Sequence, residues 1–255
     1  MIFRRICSDK VSAIGLGSWD VRDPKAFLET LLRALELGIN LVDTAEMYRT
    51  EPIIGEALRK FGKPDEIFVT TKLYPWHLKE EEECIKALRR QRERLGKTPD
   101  LTLVHWPEDI ATEVRVLEKA AEKGYTRMIG VSNVTKEQLE VALEATKKFD
   151  IVAVQNKYSL WFRRSEEILD TLEKRGIALQ AHTPLEKGRV LHDSKVRKVA
   201  EELNAPSASI ALAWILTKSE VTIPIPKTEN LEHLEEILGA LELVPLPEWA
   251  MKELG

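Results

Sequence analysis

Cysteine is almost absent, with only Cys7 and Cys84 among 255 residues. Two cysteines cannot build a disulfide framework, and no H-x-H or H-E-x-x-H spacing occurs, so neither a stapled secreted fold nor a metal site is expected. A dominant charge is missing too. The 38 Lys and Arg against 42 Asp and Glu leave a formal charge of -4, which argues against nucleic acid or an acidic membrane as the main partner and leaves small molecules. No apolar run reaches membrane-spanning length, and "MIFRRICSDK" is basic without the roughly 7 to 15 apolar residues of a secretory signal. A cytoplasmic protein, monomeric or weakly homo-oligomeric, is the expectation. Linkers, low-complexity tracts and short repeats are also lacking, so residues 1–255 are read as a single domain.

What is present is a 44% hydrophobic chain in which short β-rich apolar runs alternate with longer segments of helical period, the pattern of βα units and a parallel sheet. After a hairpin at the amino terminus, eight strands are predicted: Ala13–Leu16, Asn40–Asp43, Ile67–Thr71, Leu101–His105, Met128–Val131, Ile151–Val154, Ile177–Gln180 and Val221–Ile225. Helical segments between them include 25–37, 79–95, 112–122, 136–147 and 164–174, several followed by Gly38, Gly96, Gly124 or Gly176 as C-terminal signals. An extra helix over 205–217 and one over 231–241 flank the eighth strand. Eight such units close into a (β/α)8 TIM barrel, with extra helices near the carboxyl terminus.

A barrel of this kind carries its chemistry at the carboxyl ends of its strands. Those ends hold Asp43, Lys72, His105, Ser132 and Asn133, Gln155, His182, then Lys227 and Thr228. Singly, each has an ordinary reading: Asp43 as a cap or turn residue, Lys72 as a snorkelling lysine, His105 as a core histidine, Tyr48 as a core-edge aromatic. Together, Asp43, Tyr48, Lys72 and His105 form a proton-delivery set. A phenol of pKa ~10 is a weak acid, and a neighbouring ammonium stabilises its phenolate. Asp43 holds Lys72 in place, and a neutral His105 orients a bound carbonyl oxygen. The reaction implied is carbonyl reduction, with hydride from a cofactor.

The segments "IGLGSW", "LVDTAEMY", "IFVTTKL", "LTLVHWP", "IGVSNV", "VQNKYSL", "AHTPLEKG" and "IPIPKTENLEHLEE" resemble, in order, the signatures of the aldo-keto reductases. The resemblance implies a nicotinamide cofactor, NADPH rather than NADH, bound over the mouth without a Rossmann unit; "GLGSW" indeed lacks the third glycine of that fingerprint. It makes Tyr48 the general acid, Lys72 and Asp43 its tuning pair and His105 the orienting group. Ser132, Asn133 and Gln155 match the residues that hold the nicotinamide amide. Gly17, Ser18, Trp19, Asp43, His182, Thr183 and Leu185 fall along the cofactor's length, and Lys227, Thr228 and His233 at its adenosine end. Trp19, Trp76, Trp106 and Trp161, with Tyr48 and His105, are expected to wall a permissive substrate pocket for aldehydes, ketones or the matching alcohols.

Three positions depart from the family pattern. His182 stands where a tyrosine stacks on the nicotinamide, His233 where an arginine grips the 2′-phosphate, and Ile237 where a polar residue lies near the adenine. A neutral imidazole cannot make the bidentate guanidinium contact, so NADH remains an accepted alternative. Two other functions compete. One is a cofactor-binding interaction module with little turnover; the other is a Schiff-base aldolase using Lys72, which leaves the cofactor-type residues unexplained.

Overall fold

The computed structural model describes residues 1–255. The amino-terminal hairpin, β1 (Phe3–Ile6) and β2 (Asp9–Ser12), pairs antiparallel. Ile6 and Val11 are fully buried, packed in one cluster with Leu41, Leu101, Leu103, Ala153 and Ile223. The hairpin thereby plugs the amino-terminal end of the sheet, and its apolar residues exclude water there. Only the opposite end is left for polar chemistry.

Eight parallel strands follow: β3 (Leu16–Gly17), β4 (Leu41–Asp43), β5 (Phe68–Leu73), β6 (Leu101–Val104), β7 (Met128–Ser132), β8 (Ile151–Lys157), β9 (Ala178–His182) and β10 (Thr222–Pro224). Each pairs with its sequence neighbours, in the order β3 through β10. The two end strands meet through Gly15 N to Pro224 O at 3.0 Å and Gly17 N to Pro226 O at 2.8 Å, which closes the barrel. Glycine is required at this seam, because a Cβ on Gly17 would lie 2.9 Å from Ile225 O. The predicted first strand, Ala13–Leu16, is thus shifted: its regular pairing covers Leu16–Gly17, while Ala13 and Gly15 bond singly to Ile2 O and Pro224 O.

Ten helices surround the sheet: α1 (Pro24–Glu36), α2 (Glu51–Phe61), α3 (Glu81–Leu95), α4 (Ile110–Glu122), α5 (Lys136–Ala145), α6 (Glu166–Arg175), α7 (Ser194–Glu202), α8 (Ser207–Lys218), α9 (Leu231–Gly239) and α10 (Glu248–Leu254). Gly96 and Gly176 cap α3 and α6 in the left-handed conformation, as their spacing predicts. The single helix expected before the last strand is two, α7 and α8. Helix α8 is buried from Ala208 to Leu216, with Trp214 at 0% exposure, so it forms part of the core and lacks a clear polar face. No helix is long and apolar enough to cross a membrane.

Candidate active site

Inward-facing positions alternate along the strands, and at the carboxyl end of the barrel they become polar. Asp43 ends β4, and Thr70 and Lys72 lie two apart on β5. Lys72 Nζ donates to Asp43 Oδ1 at 2.7 Å, to Oδ2 at 2.9 Å and to Thr44 O at 2.8 Å. The strand ends opposite complete a chain. Gln155 Nε2 on β8 donates to Asp43 Oδ1 at 2.7 Å and to Gln180 Oε1 at 2.8 Å, and Gln180 Nε2 on β9 donates to Thr70 Oγ1 at 2.9 Å. Burial of a charge is tolerated because every polar partner is supplied. Gln180 and Thr70 are members of this hydrogen-bonded chain that sequence reading missed; their period-two relation to His182 and Lys72 was the available signal.

Tyr48 sits on a single helical turn, Glu46–Tyr48, closed by Arg49 at φ 59. This turn brings the phenol back over the strand ends, where Lys72 Nζ lies 4.7 Å from its ring centroid. Burial pushes the Tyr48 phenol above its ordinary range; Lys72 pulls it down and Asp43 pushes it up again. Lys72 thus acts on the phenol in the direction expected of a neighbouring ammonium, although burial outweighs it. Burial likewise raises the Asp43 carboxyl, against Lys72 and Gln155.

His105 follows β6, its ring centroid 5.7 Å from that of Tyr48 in an edge-on arrangement. Burial, then the Lys72 charge, lowers its pKa to about 3, so the imidazole is neutral. Its Nδ1 is buried without a partner. From His105 an aromatic wall continues through Trp106 at 4.9 Å and Tyr74 at 6.4 Å, with Trp76 stacked on Tyr74 at 4.0 Å. Tyr74, one position past the end of β5, is a wall residue that the strand-end reading did not single out. Trp161 does not join this wall: its indole N–H donates to Asp193 Oδ2 at 2.9 Å. Trp19 lies elsewhere on the rim, under Lys187 Nζ at 4.6 Å.

Ser132, Asn133 and His182 form one network. Ser132 Oγ donates to Gln155 O at 2.7 Å, and Asn133 Nδ2 donates to His105 O at 2.9 Å and Ser132 Oγ at 3.1 Å. His182 Nε2 lies 2.9 Å from Asn133 Oδ1 and Nδ1 lies 3.0 Å from Thr183 Oγ1. A neutral imidazole protonated on Nε2 satisfies both, since Asn133 Oδ1 only accepts. Burial, then Lys72, lowers the His182 pKa to about 4, in keeping with that tautomer. Asn133 and Thr183 hold positive φ, 58° and 54°, a strained turn of the kind found at functional strand ends.

The remaining cofactor positions divide. Gly17 lies at the seam, and Leu185 packs on the core. Ser18 is fully buried, its hydroxyl 2.7 Å from Thr50 Oγ1. Thr228 Oγ1 is engaged by Asn230 N at 3.1 Å. His233 is exposed on the first turn of α9, Ile237 is buried in the core, and Lys227 contacts Glu229. Gln155 Oε1 accepts no hydrogen bond inside the protein and would suit the N–H of a nicotinamide carboxamide, whereas the Asn133 amide and Ser132 hydroxyl already donate to His105 O, Ser132 Oγ and Gln155 O and would have to exchange those partners.

The model of the Aldo/keto reductase family matches residues 13–254. Methylglyoxal reductase DkgB of Salmonella typhimurium is 31% identical over 240 residues, covering 91% of this chain and 88% of that protein. Among solved structures, the thermostable aldo-keto reductase Tm1743 in complex with the inhibitor epalrestat superposes with a TM-score of 0.90 at 30% identity, over 100% of this chain and 98% of that one. An aldo-keto reductase from Klebsiella pneumoniae in complex with NADPH gives a TM-score of 0.90 at 27% identity, over 100% and 94%.

Proposed function

The chain belongs to the aldo/keto reductase family, and from that membership we propose that it reduces small aldehydes or ketones to alcohols, with NADPH as preferred reductant and NADH accepted. When bound, the reduced dinucleotide supplies the hydride that no side chain carries. Gln155, Asn133 and Ser132 would hold its carboxamide, His182 its ring, and Lys227, Thr228 and His233 its adenosine end.

The chain's own groups supply the proton. Tyr48 Oη gives its proton to the carbonyl oxygen as negative charge develops there, the moment at which a donor in a water-poor site gains most. Neutral His105 orients that oxygen by hydrogen bonding and, with its pKa lowered to about 3, does not compete as an acid. Lys72 stabilises the phenolate left behind, and Asp43, bonded to it through both carboxylate oxygens, fixes its position. The observation that carries this reading is the buried Lys72–Asp43 pair lying against Tyr48.

The test follows reduced-cofactor absorbance with purified protein, NADPH and a panel including methylglyoxal and an aromatic aldehyde. Turnover is expected, and Tyr48→Phe should lose about 10²-fold or more in kcat, the scale of general acid catalysis, while cofactor affinity stays. No oxidation across the panel, or a Tyr48→Phe enzyme near full rate, would sink the proposal.

A further inference from the structure

At the closing seam, the segment after β10 carries Lys227, Thr228 and Glu229, and the segment leading into α1 lies beside it. Glu229 joins the two. Its Oε1 contacts Lys227 Nζ and accepts from Arg22 N at 2.8 Å, while Oε2 accepts from Asp23 N at 3.0 Å. Against the burial that raises it, the Lys227 hydrogen bond and those two N–H groups hold the Glu229 carboxyl below its usual range. It is an anion fixed by three donors.

Lys227 is consequently a matched cation. Of the groups flanking it, the exposed Arg22 guanidinium lies 3.2 Å from Asp20 Oδ2, the Thr228 hydroxyl is engaged by Asn230, and Glu232 stands beside exposed His233. A phosphate monoester gains from uncompensated cations or a bidentate guanidinium. This corner presents an ion pair and further carboxylates, whereas a ribose hydroxyl carries no charge and is indifferent to the missing cation.

Resting on the reading of this site as a nicotinamide dinucleotide site, we infer that Glu229 sets its cofactor discrimination. By occupying Lys227, it removes most of the gain a 2′-phosphate would bring, so a dinucleotide with a free 2′-hydroxyl is accepted nearly as well as the phosphorylated one. Specificity is a difference of affinities, and here an intramolecular carboxylate reduces that difference.

Titration of the full chain with NADPH and NADH, followed by fluorescence or calorimetry, tests this on wild type, Glu229→Gln, Lys227→Met and the double variant. In wild type the two dissociation constants should lie within about tenfold. Glu229→Gln should widen the ratio by about another tenfold, through tighter NADPH binding. Lys227→Met should change NADPH affinity by less than about threefold in wild type yet abolish the gain in the Glu229→Gln background, the non-additivity expected of coupled groups. A ratio unmoved by Glu229→Gln overturns the inference. So does Lys227→Met alone weakening NADPH more than about tenfold with NADH unaffected, an arm that decides the matter if Glu229→Gln does not fold. Binding of neither dinucleotide to the wild-type chain would refute the underlying reading itself, a result distinct from both.

Discussion

Lys72 Nζ donates to both carboxylate oxygens of Asp43, at 2.7 and 2.9 Å, and neither side chain is more than 4% exposed. The pair is the electrostatic centre of the site and also a structural commitment. Removing one member of a buried pair strands the other, at a cost of about 3–5 kcal/mol. Lys72→Met should therefore lose stability on that scale, lowering Tm by about 10 °C for a chain of this size, and the Asp43 carboxyl, already raised by burial, should take up a proton. In the proposed reaction kcat should fall by about 10²–10⁴. Thermal melts and steady-state rates on the same preparation check both losses.

His105 ties stability to pH. Its folded pKa is lowered to about 3 by burial and by Lys72, against ~6.5 in the unfolded chain. Between those values the unfolded state binds the extra proton, so the contribution is whole above pH 6.5 and is lost as pH falls through the window. Denaturant titrations at pH 7 and pH 5 should show His105 alone costing about 2 kcal/mol at the lower pH. His105→Gln should remove that component of the difference; an unchanged pH dependence would mean the imidazole is not held neutral. The proposed reduction rate should show no inflection from His105 near neutrality. With the Tyr48 pKa raised, loss of the proton donor should set in only above the ordinary phenol value of ~10.

All eight barrel strands were legible, because strands covered on both faces read as continuous apolar runs. Their paired ends were less so: Gly15 and Gly17 form the seam by single bonds to Pro224 and Pro226, and nothing in "AIGLGSW" marks which residue pairs. Helix α8 was visible, whereas α7, charged along "SKVRKVAEE", was not among the predicted helices. In the site, the strand-end rule pointed to Asp43, Lys72, His105 and Gln155. It could not tell that Gln155 reaches 112 residues back to Asp43, or that the hydroxyls of Ser18 and Thr228 are spent on neighbours. A sequence names the strand end a side chain occupies; its partner across the barrel depends on register and stagger.

Gly130 on β7 links the barrel interior to the site. A Cβ there would meet Ala153 O on β8 and lie 2.6 Å from Leu103 Cδ2, at the point where the β7–β8 register shifts. Backbone oxygen cannot yield as a side chain does, so Gly130→Ala should cost about 1–3 kcal/mol by overpacking. Ser132 and Asn133 follow two and three residues on, and their displacement should also weaken dinucleotide binding. A melt with a parallel cofactor titration measures the two effects, and an alanine variant as stable as wild type would show that β7 has slack.

The aromatic wall separates residues that looked equivalent in sequence. Trp76 stacks on Tyr74 at 4.0 Å, and Tyr74 stands edge-on to Trp106 at 5.6 Å, so the three rings form one surface continuing from His105 toward the rim. Trp161 is instead bound to Asp193. A flat apolar substrate presented to Tyr48 would lie against the first group, where aromatic contacts contribute about 0.5–1.5 kcal/mol each beyond area burial. Tyr74→Ala and Trp76→Ala should each raise KM for an aromatic aldehyde by about threefold to tenfold, with a much smaller change for methylglyoxal, which has no ring to stack. Trp161→Ala should have the smaller effect on the same aldehyde. Equal losses for both substrates would assign the wall a structural role, because a packing defect does not distinguish an aromatic carbonyl from a small aliphatic one.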